Sequence, residues 1–256
     1  MLYARFKYNG KTSYGIVEGD SVTAITGNLF GKHKKAGRKV KLSKVQLLAP
    51  CKPGKVIAIG LNYKSHIGDR PAPSKPEMFL KTPTSVQDPE GDIIIPKVST
   101  GNRIEPEGEL VIVIGKKGKH IPVEQAKDYI FGYTCGNDVS EREWQNGPQK
   151  DLQWARAKSA DTFSPFGPCI QTEFDFMTAR LQTRVNGVEK QNQTTGDLIY
   201  NPHEIVAQCS QTMTLEPGDV IFTGTPGTPE GMKPGDVVEV EISSIGVLRN
   251  IVKAEA

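Results

Sequence analysis

The stretch IEPEGELVIVIGKKGKH, residues 104 to 120, decides how the chain is read. Its apolar run Leu110 to Ile114 is mostly β-branched and stops at Gly115, the pattern of a buried strand. Glu107 and Glu109 stand two apart at the entrance to that strand, and residues i and i+2 of a strand project from the same face. Two carboxylates held so close repel unless something positive sits between them. A divalent cation with oxygen ligands would do it, and Asp138, at the end of the apolar run FGYTCGNDVS (131 to 140), offers a third carboxylate. The alternative is an exposed strand edge that happens to carry paired acids.

Other β-branched runs bounded by turn residues lie on either side: KVIAIG (55 to 60), DIII (92 to 95), RVNG (184 to 187), DVIFTG (219 to 224) and DVVEVEI (236 to 242). Two of the late turns share the tripeptide PGD, at Pro217 and Pro234. The 26 glycines and 18 prolines are spread along the chain, which fits many short strands joined by tight turns. Two helix starts are visible. Pro122 opens VEQAKDYI, and Asn201 with Pro202 and Glu204 supplies an N-cap, an N1 proline and a capping-box acid. The pattern predicts a β-rich α+β protein. Residues 1–48 read as a small N-terminal β domain with a hairpin turning at Glu18-Gly19-Asp20, Ala49 to Gly54 as a linker, and residues 49–256 as the main domain.

Composition narrows the function classes. The chain has 256 residues, of which 37% are hydrophobic and 24% charged, so it can bury a core and is not disordered. No apolar run approaches the roughly 18 residues of a membrane span. The start MLYARFKYNG lacks the apolar segment of a secretory signal, which points to the cytoplasm. Cys51, Cys135, Cys169 and Cys209 are far apart and form no CxxC pair, so they read as reduced, buried thiols. The basic cluster Lys32 to Lys44 could suggest a nucleic-acid arm, but it has no interleaved aromatic residues and reads as a solvated surface loop. No nucleic-acid or membrane partner is expected.

Polar residues that a turn does not require follow two of the strands. IGLNYKSHIGDRP brings Asn62, Tyr63, His66 and Asp69 just after the run at 55 to 60, where active-site loops commonly begin. SEREWQNGPQKDLQWARAKSADTF brings Arg142, Gln145, Gln153, Arg156 and Lys158 after Asp138. A structural histidine and a polar surface loop are the bland readings of these two segments. FTGTPGTPEGM is neither a phosphate loop nor a dinucleotide fingerprint, and no GxSxG elbow is present.

Taken together, these blocks resemble the fumarylacetoacetate hydrolase family. IGLNYKSH, FLKTPTS (79 to 85), EGELVIVIGK, FGYTCGNDVSERE, AKSADTFSPFGP, RVNGVEKQNQTTGDLIY, LEPGDVIFTGTPGT and KPGDVVEVEI occur in the family's order, over about residues 50 to 253. The resemblance implies a mixed β-roll catalytic domain, a homodimer and a role in the breakdown of aromatic compounds. It also implies that Glu107, Glu109 and Asp138 are ligands of Mg²⁺ or Mn²⁺, with Ca²⁺ a further candidate. Lys158 matches the lysine that faces the substrate oxyanion, and Arg142, Gln145, Thr225 and Gln191 fall where substrate contacts are expected. His66 matches the histidine that pairs with a glutamate to activate water. Here the chain departs from the pattern: Asp69 stands where that glutamate is expected, between Gly68 and Arg70-Pro71, so the segment should be less helical.

The expected substrate is a small 2-oxo acid, chelated through its C1 carboxylate and C2 carbonyl oxygens so that an enolate is stabilised. Carbon-carbon bond cleavage, by hydrolysis of a β-diketo acid or by decarboxylation, is the first expectation. Keto-enol isomerisation of a 2-hydroxydienoate or of oxaloacetate is the alternative, and a non-catalytic metal-binding module is a third. Hydrolysis depends on His66 with Asp69.

Overall fold

A computed structural model describes residues 1–100 and 103–256. The strand Gly108–Ile114 lies inside the largest sheet, antiparallel to Ile130–Asn137 on one side and to Val220–Phe222 on the other. All of its residues are buried. Leu110, Ile112 and Ile114 enter one core, shared with Leu181, Val240 and Leu248 of a second sheet and with Ile205 and Cys209 of the helix Pro202–Thr212. Val111 and Val113 enter another, with Tyr3, Phe166 and Phe222. The unbroken apolar run thus serves two cores at once, as a strand covered on both faces must.

Beyond Val220–Phe222 the sheet continues through the parallel strand Val56–Gly60 to the antiparallel edge strand Glu77–Lys81. In the other direction it passes through Ile130–Asn137 and Ser164–Gln171 to Leu2–Tyr8, Lys11–Glu18, Ser21–Gly27 and His33–Lys41. The N-terminal hairpin turns where expected, and Leu2 and Tyr3 pair with Gln171 and Ile170, so the first strands extend the main sheet. The segment read as a linker is packed rather than free: Ala49, Pro50 and Cys51 are buried, and the Ala49 amide donates to Asp88 Oδ1 at 2.7 Å. The second sheet has the order Val188–Thr194, Arg180–Val185, Val237–Ile242, Gly246–Ala254 and Asp92–Ile95. The β-rich α+β class is as predicted.

Two local expectations need correction. The lysine-rich segment is not a loop, because His33–Lys41 forms the outermost strand, paired with Ser21–Gly27. Exposed lysines suit a sheet edge, where their charge discourages pairing with another chain. Val123–Tyr129 is a 3₁₀ helix and not an α-helix; Pro122 offers no side-chain cap, and only Ala126 is buried. The helix Pro202–Thr212 carries the full capping box between Asn201 and Glu204. Among the described residues no helix is long and apolar enough to cross a membrane.

Candidate metal and substrate site

Strand direction assembles the site. Because Gly108–Ile114 runs antiparallel to both neighbours, its first residues lie beside the last residues of Ile130–Asn137 and Val220–Phe222. Val56–Gly60, parallel to the latter, ends at the same place. Glu107 and Glu109, Asp138, Leu61 to His66, and Thr225 therefore converge although they span most of the chain.

Ligand oxygens of Glu107, Glu109 and Asp138 all lie within 4.8 Å of one another, and the three residues are buried. Asp138 is fixed to Glu107 by an amide that donates to the Glu107 carbonyl at 2.8 Å. Lys158 Nζ donates to Glu107 Oε2 at 2.5 Å and to Asp138 Oδ2 at 2.8 Å. Arg142 Nη2 donates to Glu107, while its Nε reaches Glu105 Oε2 at 2.5 Å and its Nη1 reaches Gln145 Oε1 at 2.5 Å. Lys81, whose side chain is wholly buried, donates to Asp138 and to the Phe163 carbonyl at 2.9 Å. Glu109 differs from the other two acids: its Oε2 accepts from the Gly224 amide at 2.7 Å, and no cation is bound to it among the described residues.

The electrostatics follow from these pairings. Burial opposes ionisation of Glu107, but Arg142 and Lys158 outweigh it and hold the carboxyl well below its ordinary range. Burial and then the charges of Asp138 and Glu107 push Glu109 well above that range. The two lysines are driven apart. Burial lowers Lys81, partly offset by Asp138. For Lys158 burial is outweighed by Asp138 and Glu107, and its value is raised. A buried carboxylate with no cation bound to it, within 4.8 Å of two others, is a donor set suited to a hard divalent cation.

His66, Arg142, Gln145, Lys158 and Thr225 line one small cavity with the three acids. His66 lies within the short helical turn Lys64–Ile67, as weakly helical as Gly68 predicts, and its Nδ1 lies 2.6 Å from the Gly227 carbonyl oxygen. Asp69 is exposed beyond Gly68 and makes no hydrogen bond or ion pair with His66, so the structure does not bring this pair together. Gln191 stands one layer back. Its amide nitrogen donates to Thr225 Oγ1 and the Pro226 carbonyl, both at 2.7 Å, and its Oε1 accepts from the Gly108 amide at 2.9 Å, so it positions the cavity wall.

Sequence reading missed Lys81, Glu105 and the aromatic wall made by Phe79 and Trp154. Glu105 continues the i, i+2 series of acids, which was a usable signal. Lys81 ends the run EMFLK, but nothing local places it opposite Asp138.

The family model described as fumarylacetoacetate (FAA) hydrolase C-terminal matches residues 55–253, most of the chain. The chain belongs to the fumarylacetoacetate hydrolase family. A second model, described as Rv2993c-like, N-terminal, matches residues 1–50. Among solved structures, the family member is similar to the 5-carboxymethyl-2-hydroxymuconate delta-isomerase of Mycobacterium smegmatis, at 39% identity and a TM-score of 0.92, with 100% of each chain covered. The maleylpyruvate hydrolase of Sphingobium sp. SYK-6, solved with manganese(II) and pyruvate, shares 28% identity and a TM-score of 0.82, again with 100% of each chain covered. The mitochondrial oxaloacetate tautomerase fahd2 of Xenopus laevis is 40% identical over 221 residues, which is 81% of this chain and 68% of that protein.

Proposed function

We propose that this protein catalyses keto-enol interconversion of a 2-oxo acid at a divalent-metal centre held by Glu107, Glu109 and Asp138. The observation that carries this reading is the environment of His66, whose Nδ1 faces the Gly227 carbonyl while Asp69 is exposed and unpaired with it. A carbonyl oxygen only accepts, so Nδ1 carries the hydrogen and Nε2 is left as the ring nitrogen that can take a proton in the cavity. Among the described residues no carboxylate hydrogen-bonds to the ring to orient it for attack by water, as hydrolysis would require. Tautomerisation requires only that a proton be moved between the substrate's C3 and its C2 oxygen, which Nε2 of His66 can take from the one and give to the other.

Bound at the three acids, Mg²⁺ or Mn²⁺ would supply a Lewis acid for the substrate's carboxylate and carbonyl oxygens. Lys158 places a second positive charge in the same buried cavity, where charge developing on the C2 oxygen is stabilised most. Gln145 accepts from Arg142 through Oε1, which leaves its amide nitrogen to donate to the substrate carboxylate. The relatives named for tautomerisation and isomerisation, at 39 to 40% identity, are more similar to this chain than solved structures named as hydrolases, at 28 to 34%, and support the same reading. Isomerisation, the alternative that the sequence offers, is thereby favoured over bond cleavage.

The test is to mix the protein with enol-rich oxaloacetate and follow the enol absorbance alongside an enzymatic assay for pyruvate. The enol should disappear faster than in buffer, only with Mg²⁺ or Mn²⁺ present, and without matching pyruvate release. Stoichiometric pyruvate, or metal-dependent cleavage of an acylpyruvate, would restore the cleavage reading.

A further inference from the structure

The cavity around the three acids measures about 30 Å³, room for roughly two water-sized groups. Any substrate larger than a compact reacting head must extend out of it. One route leads past Leu61, Phe79 and Trp154, which line both this cavity and an adjoining groove of about 860 Å³. The groove walls include Pro71, Pro73, Met78 and Leu152. Among the described residues that line it, Glu77 is the only charged one, and Gln153 and the Trp154 indole N–H are the only other polar side-chain groups.

The strand Glu77–Lys81 acts as a ruler between the two spaces. Alternation puts Lys81, Phe79 and Glu77 on one face, so a path from Asp138 outward meets an ammonium, then an aromatic ring, then a carboxylate. The middle of the path is a fixed aromatic step. Phe79 and Trp154 meet edge to face with centroids 5.2 Å apart, and the Lys158 ammonium lies 5.7 Å from the Phe79 centroid. Trp154 lies so close to Gly60 that a Cβ there would come within 2.9 Å of its ring. Leu61, at the junction, is held at φ 58°, a region a leucine rarely occupies. Glycine or asparagine would relax that backbone, so the strain is maintained at a position that presents an apolar side chain to both spaces.

We propose that the groove binds the distal part of the substrate, and that this part is an uncharged apolar chain rather than a second carboxylate. The proposal rests on the 2-oxo acid reading above and narrows its substrate class. A diacid would place its far carboxylate against hydrophobic walls and Glu77, with no groove-lining cation to receive it. An alkyl or aryl chain would be desolvated against Leu61, Met78 and Trp154 at roughly fourfold in affinity per methylene.

Calorimetric titration of the Mg²⁺-loaded protein with pyruvate, 2-oxohexanoate and 2-oxoadipate separates the possibilities. 2-Oxohexanoate should bind at least about tenfold more tightly than pyruvate, and 2-oxoadipate no more tightly than pyruvate. Leu61→Asn, which tolerates the left-handed backbone, should bring 2-oxohexanoate down toward pyruvate. Glu77→Arg should raise the affinity for 2-oxoadipate several-fold relative to that for 2-oxohexanoate. Equal affinities, a preference for the diacid, or variants that leave the ratios unmoved would overturn the proposal. So would a change of molar mass in Glu77→Arg by light scattering with unaltered ligand ratios, since the groove would then be covered by a second copy of the chain. Preference for 2-oxohexanoate without acceleration of enol decay would reject the proposed reaction and leave the groove standing. Accelerated decay of the oxaloacetate enol without chain preference would reject the groove alone, and failure to bind any of the three acids would reject both.

Discussion

Glu109 is buried between Glu107 and Asp138, and the bond it receives comes from an amide, not from a cation. Its charge therefore destabilises the metal-free protein while preparing the site for a cation. Glu109→Gln keeps the shape and removes the charge. Its metal-free melting temperature should rise above that of the wild type, while the upward shift on adding Mg²⁺ should be lost, both read by differential scanning fluorimetry. A lower metal-free melting temperature would mean that the carboxylate is not under strain. Lys158→Met should slow enol decay by roughly 10² to 10³, the effect of removing one preorganised positive charge. Lys81 has a different part, since its ammonium holds Asp138 and a backbone carbonyl. Lys81→Met leaves a buried carboxylate short of one partner, so it should lower the metal-free melting temperature, and Mg²⁺ should raise it by more than in the wild type. The acids and Lys158 were legible because they sit in blocks with recognisable spacing. Lys81 was not, because its role exists only through a strand pairing with Val56–Gly60 that no local pattern announces.

At the scale of elements, most strands were readable where β-branched residues lie between turn residues, as in Val56–Gly60, Asp92–Ile95 and Val237–Ile242. The two PGD turns repeat one device: the aspartate closes the turn by accepting the amide three residues earlier, Glu216 to Asp219 at 2.7 Å and Lys233 to Asp236 at 2.8 Å. Gly218 and Gly235 supply the left-handed backbone those turns need, at φ 93° and 98°. His33–Lys41 escaped recognition because an edge strand buries little, and its lysines carry no apolar alternation to read. The helix Pro202–Thr212 was legible from its cap alone. Asn201 Oδ1 accepts from the His203 and Glu204 amides, and the Asn201 amide donates in turn to Glu204 Oε2 at 2.8 Å. Asn201→Ala should cost about 1 kcal/mol in denaturant unfolding, with the slope of the transition unchanged. Its buried face, including Ile205 and Cys209, packs under the strand that bears Glu109, so enol decay should persist below the new midpoint.

For the molecule as a whole, the four cysteines report on how its parts hold together, because they are spread over three core regions. Cys135 and Cys209 lie in the core between the two sheets, Cys51 in the core on the other face of the main sheet, and Cys169 beneath the N-terminal strands with Ala4, Phe6 and Val17. All four are free and buried, as the sequence suggested. Burial pushes the thiols of Cys51, Cys169 and Cys209 up to about 12 and raises Cys135 as well. In the native protein they should fail to react with a disulfide reagent at pH 8, where an exposed thiol, with a pKa near 8.5, reacts readily. The N-terminal strands continue the main sheet, so Cys169 should become reactive in denaturant at the same midpoint as the other three; earlier labelling of Cys169 alone would show that residues 1–48 open as a separate unit. The same shifts set the alkaline limit. A thiol whose native pKa lies above its unfolded value favours the folded state while both are protonated, and that contribution is lost as pH rises from the ordinary thiol range toward about 12. The melting temperature should therefore decline from about pH 9 upward, and Cys209→Ala should decline less steeply than the wild type. Equal slopes for the two proteins would assign the alkaline loss to other groups.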